Sequence, residues 1–309
     1  ADSTAGNVKV VAGTISGTTI SFGTAVVINP SSQGTNNVII FDPINSGKFL
    51  IIHVRSGGNV ISGTLSGTTI SLGTSVLFAS GAPSSINASF DPNTSGKFVI
   101  SYRLGDTGAA IVGTIVGASI SVGSPSDFNT AAATYNSIAF DPSTAGKFVI
   151  AFRDGGNSDR GAAIVGTVTG TSLSFGTKYI FDSNSSGVGS TSLAFDTNNS
   201  GVCVISYADG TSSSVGAAIA CTVSGTSLSF GTAVNFNSVT PRQVVCNFDP
   251  NNSGVFSVSY YVDDSTKYGK VIFGNLSQTT ISFGTEVTFN SGRSFDVHSS
   301  ISFGSTRKA

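Results

Sequence analysis

The chain has no tryptophan, no methionine, one glutamate (Glu286), two histidines and three cysteines among its 309 residues. Each shortage excludes something. Three cysteines are too few for a disulfide scaffold. His53 and His298 stand far apart, and no His/Cys/carboxylate cluster has ligand spacing, so neither a metal nor any other cofactor is implied. Charged residues are 10% of the chain and the net charge is -1, which removes the basic footprint of a nucleic-acid partner. No apolar run approaches the roughly 18 residues of a membrane helix, so no membrane insertion is expected. Neither a signal peptide nor a helical period is visible. The chain starts at Ala1, and with Met absent it reads as processed or as a segment cut from something longer.

What is present is repetition. FDPNTSGKFVISYR at 90 has close copies at 41 (FDPINSGKFLIIHVR), 140 (FDPSTAGKFVIAFR), 195 (FDTNNSGVCVISYA) and 248 (FDPNNSGVFSVSYYV). A second phrase accompanies it: GTISGTTISFGT at 13, then related copies starting at 63, 113, 166, 221 and 274. These starts lie 50 to 55 residues apart, a period at which one supersecondary unit is repeated in a propeller, solenoid or array.

Each copy parses into four strands separated by turn residues. In the unit from 85, SINASF is strand A, DPNTSG a turn, KFVISYR strand B, GDTG a loop, AAIVGTI strand C, and ASISVGSPSDF strand D. Outer strands alternate: in GTVTGTSLSF, Thr and Ser take one face and Val, Leu and Phe the other. Strands A and B are expected to be buried on both faces. Four strands per period without helices describe a propeller blade, with a sandwich as the alternative fold. The expected fold is all-β, a six-bladed β-propeller with blades near 36–78, 85–128, 136–181, 191–236, 243–289, and 298–309 joined to 1–29.

The sixth unit is split between the chain ends, with strands C and D in 8–29 and a strand A from 298, and no sixth strand B is found. The chain then continues past Ala309, or the last blade has three strands, or another chain donates one. The repeated Asp (Asp42, Asp91, Asp141, Asp196, Asp249) reads as a turn cap, because calcium needs six to eight oxygens and each loop offers one carboxylate. Aligned copies put Cys203 in the place of Phe98, Phe148 and Phe256, and Cys221 in that of Gly113, Gly166 and Gly274. These positions oppose each other across the B–C hairpin, so a Cys203–Cys221 disulfide or two buried thiols would replace Phe over Gly. Cys246 reads as a core thiol.

The A–B and C–D turns barely vary between copies, whereas the B–C and D–A loops, on the opposite rim, differ in every unit. That rim carries Asp106, Asp154, Asp159, Arg160, Asp209, Arg242, Asp263, Tyr268 and Arg293, and Arg55, Arg103 and Arg153 end strand B there in three successive blades. Loops on a rigid scaffold are where binding concentrates, so these are the candidate ligand contacts, with solvated polar loops as the plain alternative. His53 aligns with Tyr102 and Phe152 and reads as a core substitute.

The A–B phrase resembles the blades of sialidase-type propellers with Asp-box turns. That likeness implies an arginine triad and a tyrosine with a glutamate partner. Glu286 falls in an outer strand D, where a catalytic tyrosine would lack its base. The wording GTVTGTSLSFGT with FDPNTSGKFVISYR is more similar to repeats in virion structural proteins of bacteriophages, marine ones especially, and in secreted bacterial surface proteins. It implies a non-enzymatic, extracellular or virion-associated attachment module. Its partners would be a glycan or host surface protein, or other appendage subunits. A lectin with repeated sugar pockets and a glycoside hydrolase are the alternatives.

Overall fold

Every regular element in the computed structural model is a β-strand; the structure describes residues 8–29, 35–182, 187–210, 215–262 and 267–292. The second blade shows how the repeat folds. Strand A (Ser84–Phe90) stops at Asp91, whose Oδ1 accepts the Asn93 N–H at 2.9 Å. Pro92 presets the turn and Gly96 takes φ +67°, which reverses the chain into strand B (Lys97–Leu104). Strand B pairs antiparallel with A and with C (Thr107–Val116). Five such sheets follow one another among the described residues, their A strands packed side by side at the centre. This is a β-propeller architecture.

Two details differ from the sequence expectation. Strand D is two strands: Ser119–Val122 pairs with the C–D-turn end of C, and Ser126–Asn129 with its B–C-loop end. The break falls at Gly123, where a Cβ would strike the Thr171 carbonyl of the next blade, so the bend is where neighbouring blades touch. Burial also differs in the second blade, where B and C are the continuously buried strands while A alternates; in the fourth, residues Thr191 to Phe195 of A are buried without a break. The polar side chains of A are used laterally. Asn87 Nδ2 donates to the Asn136 carbonyl at 3.3 Å, and Ser137 Oγ accepts the Leu193 N–H at 2.9 Å.

The N-terminal strands stand in the place of an outer half-blade. Gly13–Ser16 pairs with Thr19–Phe22, Gly13 facing Phe22 as Gly113 faces Val122. A Cβ at Gly23 would lie 2.6 Å from the Thr68 carbonyl of the first complete blade, repeating the Gly123–Thr171 approach. The strand A expected from 298 lies outside the described residues, among which the ring is not closed.

The turns on the conserved rim bind across blades. Asp91 Oδ2 accepts the Gly146 N–H of the following blade at 2.8 Å, and Asp196 Oδ2 accepts that of Gly254 at 2.8 Å. The Nζ of Lys48 donates to the next blade's Gly117 carbonyl at 2.9 Å, and that of Lys97 to Gly170 at 3.1 Å. The repeated phrase therefore spells an inter-blade clasp as well as a turn.

At mid-blade, Phe98, Phe148 and Phe256 lie buried over Gly113, Gly166 and Gly274, where any Cβ would fall inside the ring. Burying each phenyl contributes about 2–3 kcal/mol. Cys203 and Cys221 occupy the same two places and are disulfide-bonded, their Cα atoms 5.1 Å apart. Cys246 is buried in strand A, and burial pushes its thiol pKa up.

Cys203→Phe alone should therefore be more damaging than Cys203→Phe with Cys221→Gly. Both lose the disulfide, worth about 3 kcal/mol for a loop of this length. Only the single variant forces a ring onto an occupied place, at about 1–3 kcal/mol more. Urea unfolding of the two variants checks the order.

Candidate functional site

The variable rim is built from a fault that recurs in strand A. In all five sheets the A–B register shifts near the rim end, between Ser84 and Asn87, Thr134 and Ser137, and equivalent pairs elsewhere. Such bulges re-aim side chains at sheet ends. Ser85, Tyr135 and Gln243 sit in the bulges with φ of +49°, +53° and +49°, a conformation that non-glycine residues rarely adopt. Two open grooves meet there. One, about 450 Å³, is lined by Ser85, Arg103, Thr134, Tyr135, Arg153 and Asp159. The other, about 250 Å³, is lined by Tyr135, Arg153, Val188, Asp209, Thr240 and Arg242.

Tyr135 and Arg153 form the ridge between the grooves. Tyr135 is 45% exposed and the Arg153 guanidinium stands over its ring, 6.0 Å from the centroid. Arg153 also donates to Asp159. That bond holds the Asp159 carboxyl below its usual range, opposed by partial burial, and holds the Arg153 pKa up. On the far side, Arg103 donates to the Gly105 carbonyl at 2.7 Å and to Asp106 at 3.3 Å.

The structure thus brings together Arg103, Arg153, Asp159, Asp209 and Arg242, with Asp106 at the edge. It removes others from the rim site. Asp154 is fully buried, accepting from Lys178 at 2.6 Å, from Asn129 at 2.9 Å and from Gly156 at 3.1 Å, and so latches the outer strands to strand B. Arg160 and Tyr268 line neither groove, and Tyr268 packs on the core between the fourth and fifth blades. Asp263 and Arg293 lie outside the described residues. Tyr135 was absent from the sequence candidates. Its signal was present, since aligned copies carry Ser85, Ser190 and Gln243 where it alone is aromatic.

The reading of Glu286 also needs correction. The split of strand D turns it inward, where it accepts from the Tyr260 hydroxyl and from Lys270. A tyrosine therefore does have a glutamate partner. Tyr260 is fully buried, however, and neither residue lines a groove; burial and the Glu286 contact push its hydroxyl pKa up.

No protein-family model matches the chain, and no curated protein does. Solved structures do match. A protein from Lactobacillus plantarum aligns at TM-score 0.66 and 11% identity, over 93% of this chain and 80% of its own. Chaetomium thermophilum Sqt1 bound to the N-terminus of ribosomal protein L10 aligns at 0.58 and 12%, over 91% and 69%. A hypothetical selenium-binding protein from Sulfolobus tokodaii aligns at 0.60 and 7%, over 89% and 71%. The shared fold is the β-propeller. Identities this low carry the fold alone.

His53 takes the place of Phe152 in the first blade, buried with neither ring nitrogen hydrogen-bonded. Burial, and secondarily the charge of Arg55, lowers its pKa from 6.5. The unfolded chain therefore binds a proton that the folded chain refuses. Stability should fall as pH drops from about 6.5 toward the folded value and level off below it. His53→Phe should remove that component, checked by denaturant unfolding of both proteins between pH 7.5 and 5.

Proposed function

We propose that this chain is a non-enzymatic attachment scaffold that binds a partner through the rim formed by its B–C and D–A loops. The observation that carries the proposal is the pair of grooves meeting at Tyr135 and Arg153, on the rim whose loops differ between blades. The opposite rim is occupied by inter-blade clasps. The Sqt1 propeller holding the N-terminus of another protein supports a protein-interaction role for this architecture.

The non-enzymatic reading rests on the carboxylates. Asp159 and Asp209 are the carboxylates that line the grooves, one in each, and Arg153 keeps Asp159 ionised and unfit as a proton donor. Glycoside hydrolysis would need two carboxyl groups flanking one bond. A lectin with equivalent pockets in every blade fits poorly, because Tyr135 is replaced by Ser85, Ser190 or Gln243 elsewhere. The Cys203–Cys221 disulfide suits an oxidising setting, such as the cell-surface or virion placement that the repeat wording implies.

Labelled protein applied to a panel of bacterial cell surfaces tests this role. Arg153→Ala with Arg242→Ala should reduce adhesion at least tenfold, while Asn93→Ala with Asn198→Ala, on the clasped rim, should leave it unchanged. The reverse pattern overturns the proposal, as does aryl-glycoside turnover abolished by Asp209→Asn.

A further inference from the structure

We propose that the double groove astride Tyr135 is a binding site for a neutral oligosaccharide, one sugar ring on each side of the tyrosine. This rests on the variable rim being the binding face. Three features of the site point to that ligand class. The first is an exposed aromatic face held in a fixed pose. The bulge sets Tyr135 at φ +53°, its carbonyl accepts the Thr191 hydroxyl of the next blade, and Arg153 stands against its ring. A sugar ring presents an apolar C–H face that such a platform covers, whereas Ser85, Ser190 or Gln243 in the same place offers none.

The second feature is charge. Arg103, Arg153 and Arg242 are matched in number by Asp106, Asp159 and Asp209, so the site has no net field for an anion. Arg103 and Arg153 are each paired with a carboxylate, so a phosphate or polyanion would meet the negative charge of Asp106 or Asp159 beside each guanidinium. A guanidinium has five N–H donors, and one carboxylate engages only some of them. Donors and acceptors therefore lie side by side, which suits vicinal hydroxyls, since each both donates and accepts.

The third feature is size. Grooves of about 450 and 250 Å³ match small rings in volume and are too small to enclose a helix or folded domain. Because they share the Tyr135–Arg153 ridge, a linear chain of sugars could enter both and cross the tyrosine between them.

The experiment is binding of the intact protein to an array of neutral and anionic oligosaccharides, followed by calorimetric titration of the best neutral hit. The variants are Tyr135→Ser, which installs the residue of the second and fourth blades at a bulge that Ser85 already tolerates, and Tyr135→Phe. The proposal expects Tyr135→Ser to weaken binding at least tenfold with an unchanged melting temperature, and Tyr135→Phe to retain it. A blank array, binding of anionic glycans only, or a neutral hit insensitive to Tyr135→Ser overturns it. The cell-surface assay separates the two claims. A blank array with adhesion still lost in Arg153→Ala/Arg242→Ala overturns the saccharide and leaves the rim standing with a protein partner. A blank array with adhesion unaffected by those changes overturns both.

Discussion

The strand ladders of a propeller lie within each sheet, so its blades are held by packing and by whatever contacts bridge the seam. At two of the four seams between complete blades among the described residues, a carboxylate supplies a bridge. One oxygen of Asp91 caps its own turn, and the other takes the Gly146 N–H of the following blade; Asp196 does the same with Gly254. Both carboxylates are buried, where a charge-assisted bond is strong and an unpaired charge is costly. At the seam between the second and third blades this clasp accompanies a close approach that requires glycine at Gly123, with the next blade's turn against it. It also commits the A–B and C–D turns to structure.

Among the described residues the opposite rim has no such carboxylate clasp, and its blades meet there through bonds such as the Thr191 hydroxyl to the Tyr135 carbonyl and the Val188 N–H to the Asp159 carbonyl. There strand A slips its register, the bulges place Ser85, Tyr135 and Gln243 at the mouth, and the loops differ from blade to blade. Across the five sheets the equivalent places carry Asn36, Ser85, Ser190 and Gln243, and one carries Tyr135 beside an arginine paired with Asp159. A series of near-identical units thereby acquires one distinctive position.

The period, the strands and the Phe/Gly exchange for Cys203/Cys221 were legible in the sequence because each is a local pattern repeated in register. The break in strand D was not, since Gly123 matters for the carbonyl of another blade, which no period within one strand reports. The same break hid the inward reach of Lys178 and Glu286, which occupy equivalent bends and contact Asp154 and Tyr260. Charge singled out Arg103, Arg153, Asp159, Asp209 and Arg242, which the fold gathers along two grooves, but it also drew in Asp154, because a formal charge does not show whether it is solvated or buried. Tyr135 was passed over for the converse reason. An aromatic residue in a strand reads as core until the bulge that exposes it is seen.

The most direct test of the division between a clasped rim and a variable one is native-state amide exchange at single-residue resolution. The amides of Gly146 and Gly254, bonded to the carboxylates of preceding blades, should exchange only with global unfolding, about a thousandfold or more slower than those of Gly105, Asp106 and Ser158 in the rim loops. Exchange at Gly146 and Gly254 as fast as in those loops would mean that the carboxylates do not hold the blades together, and the account of the fold built on them would fail.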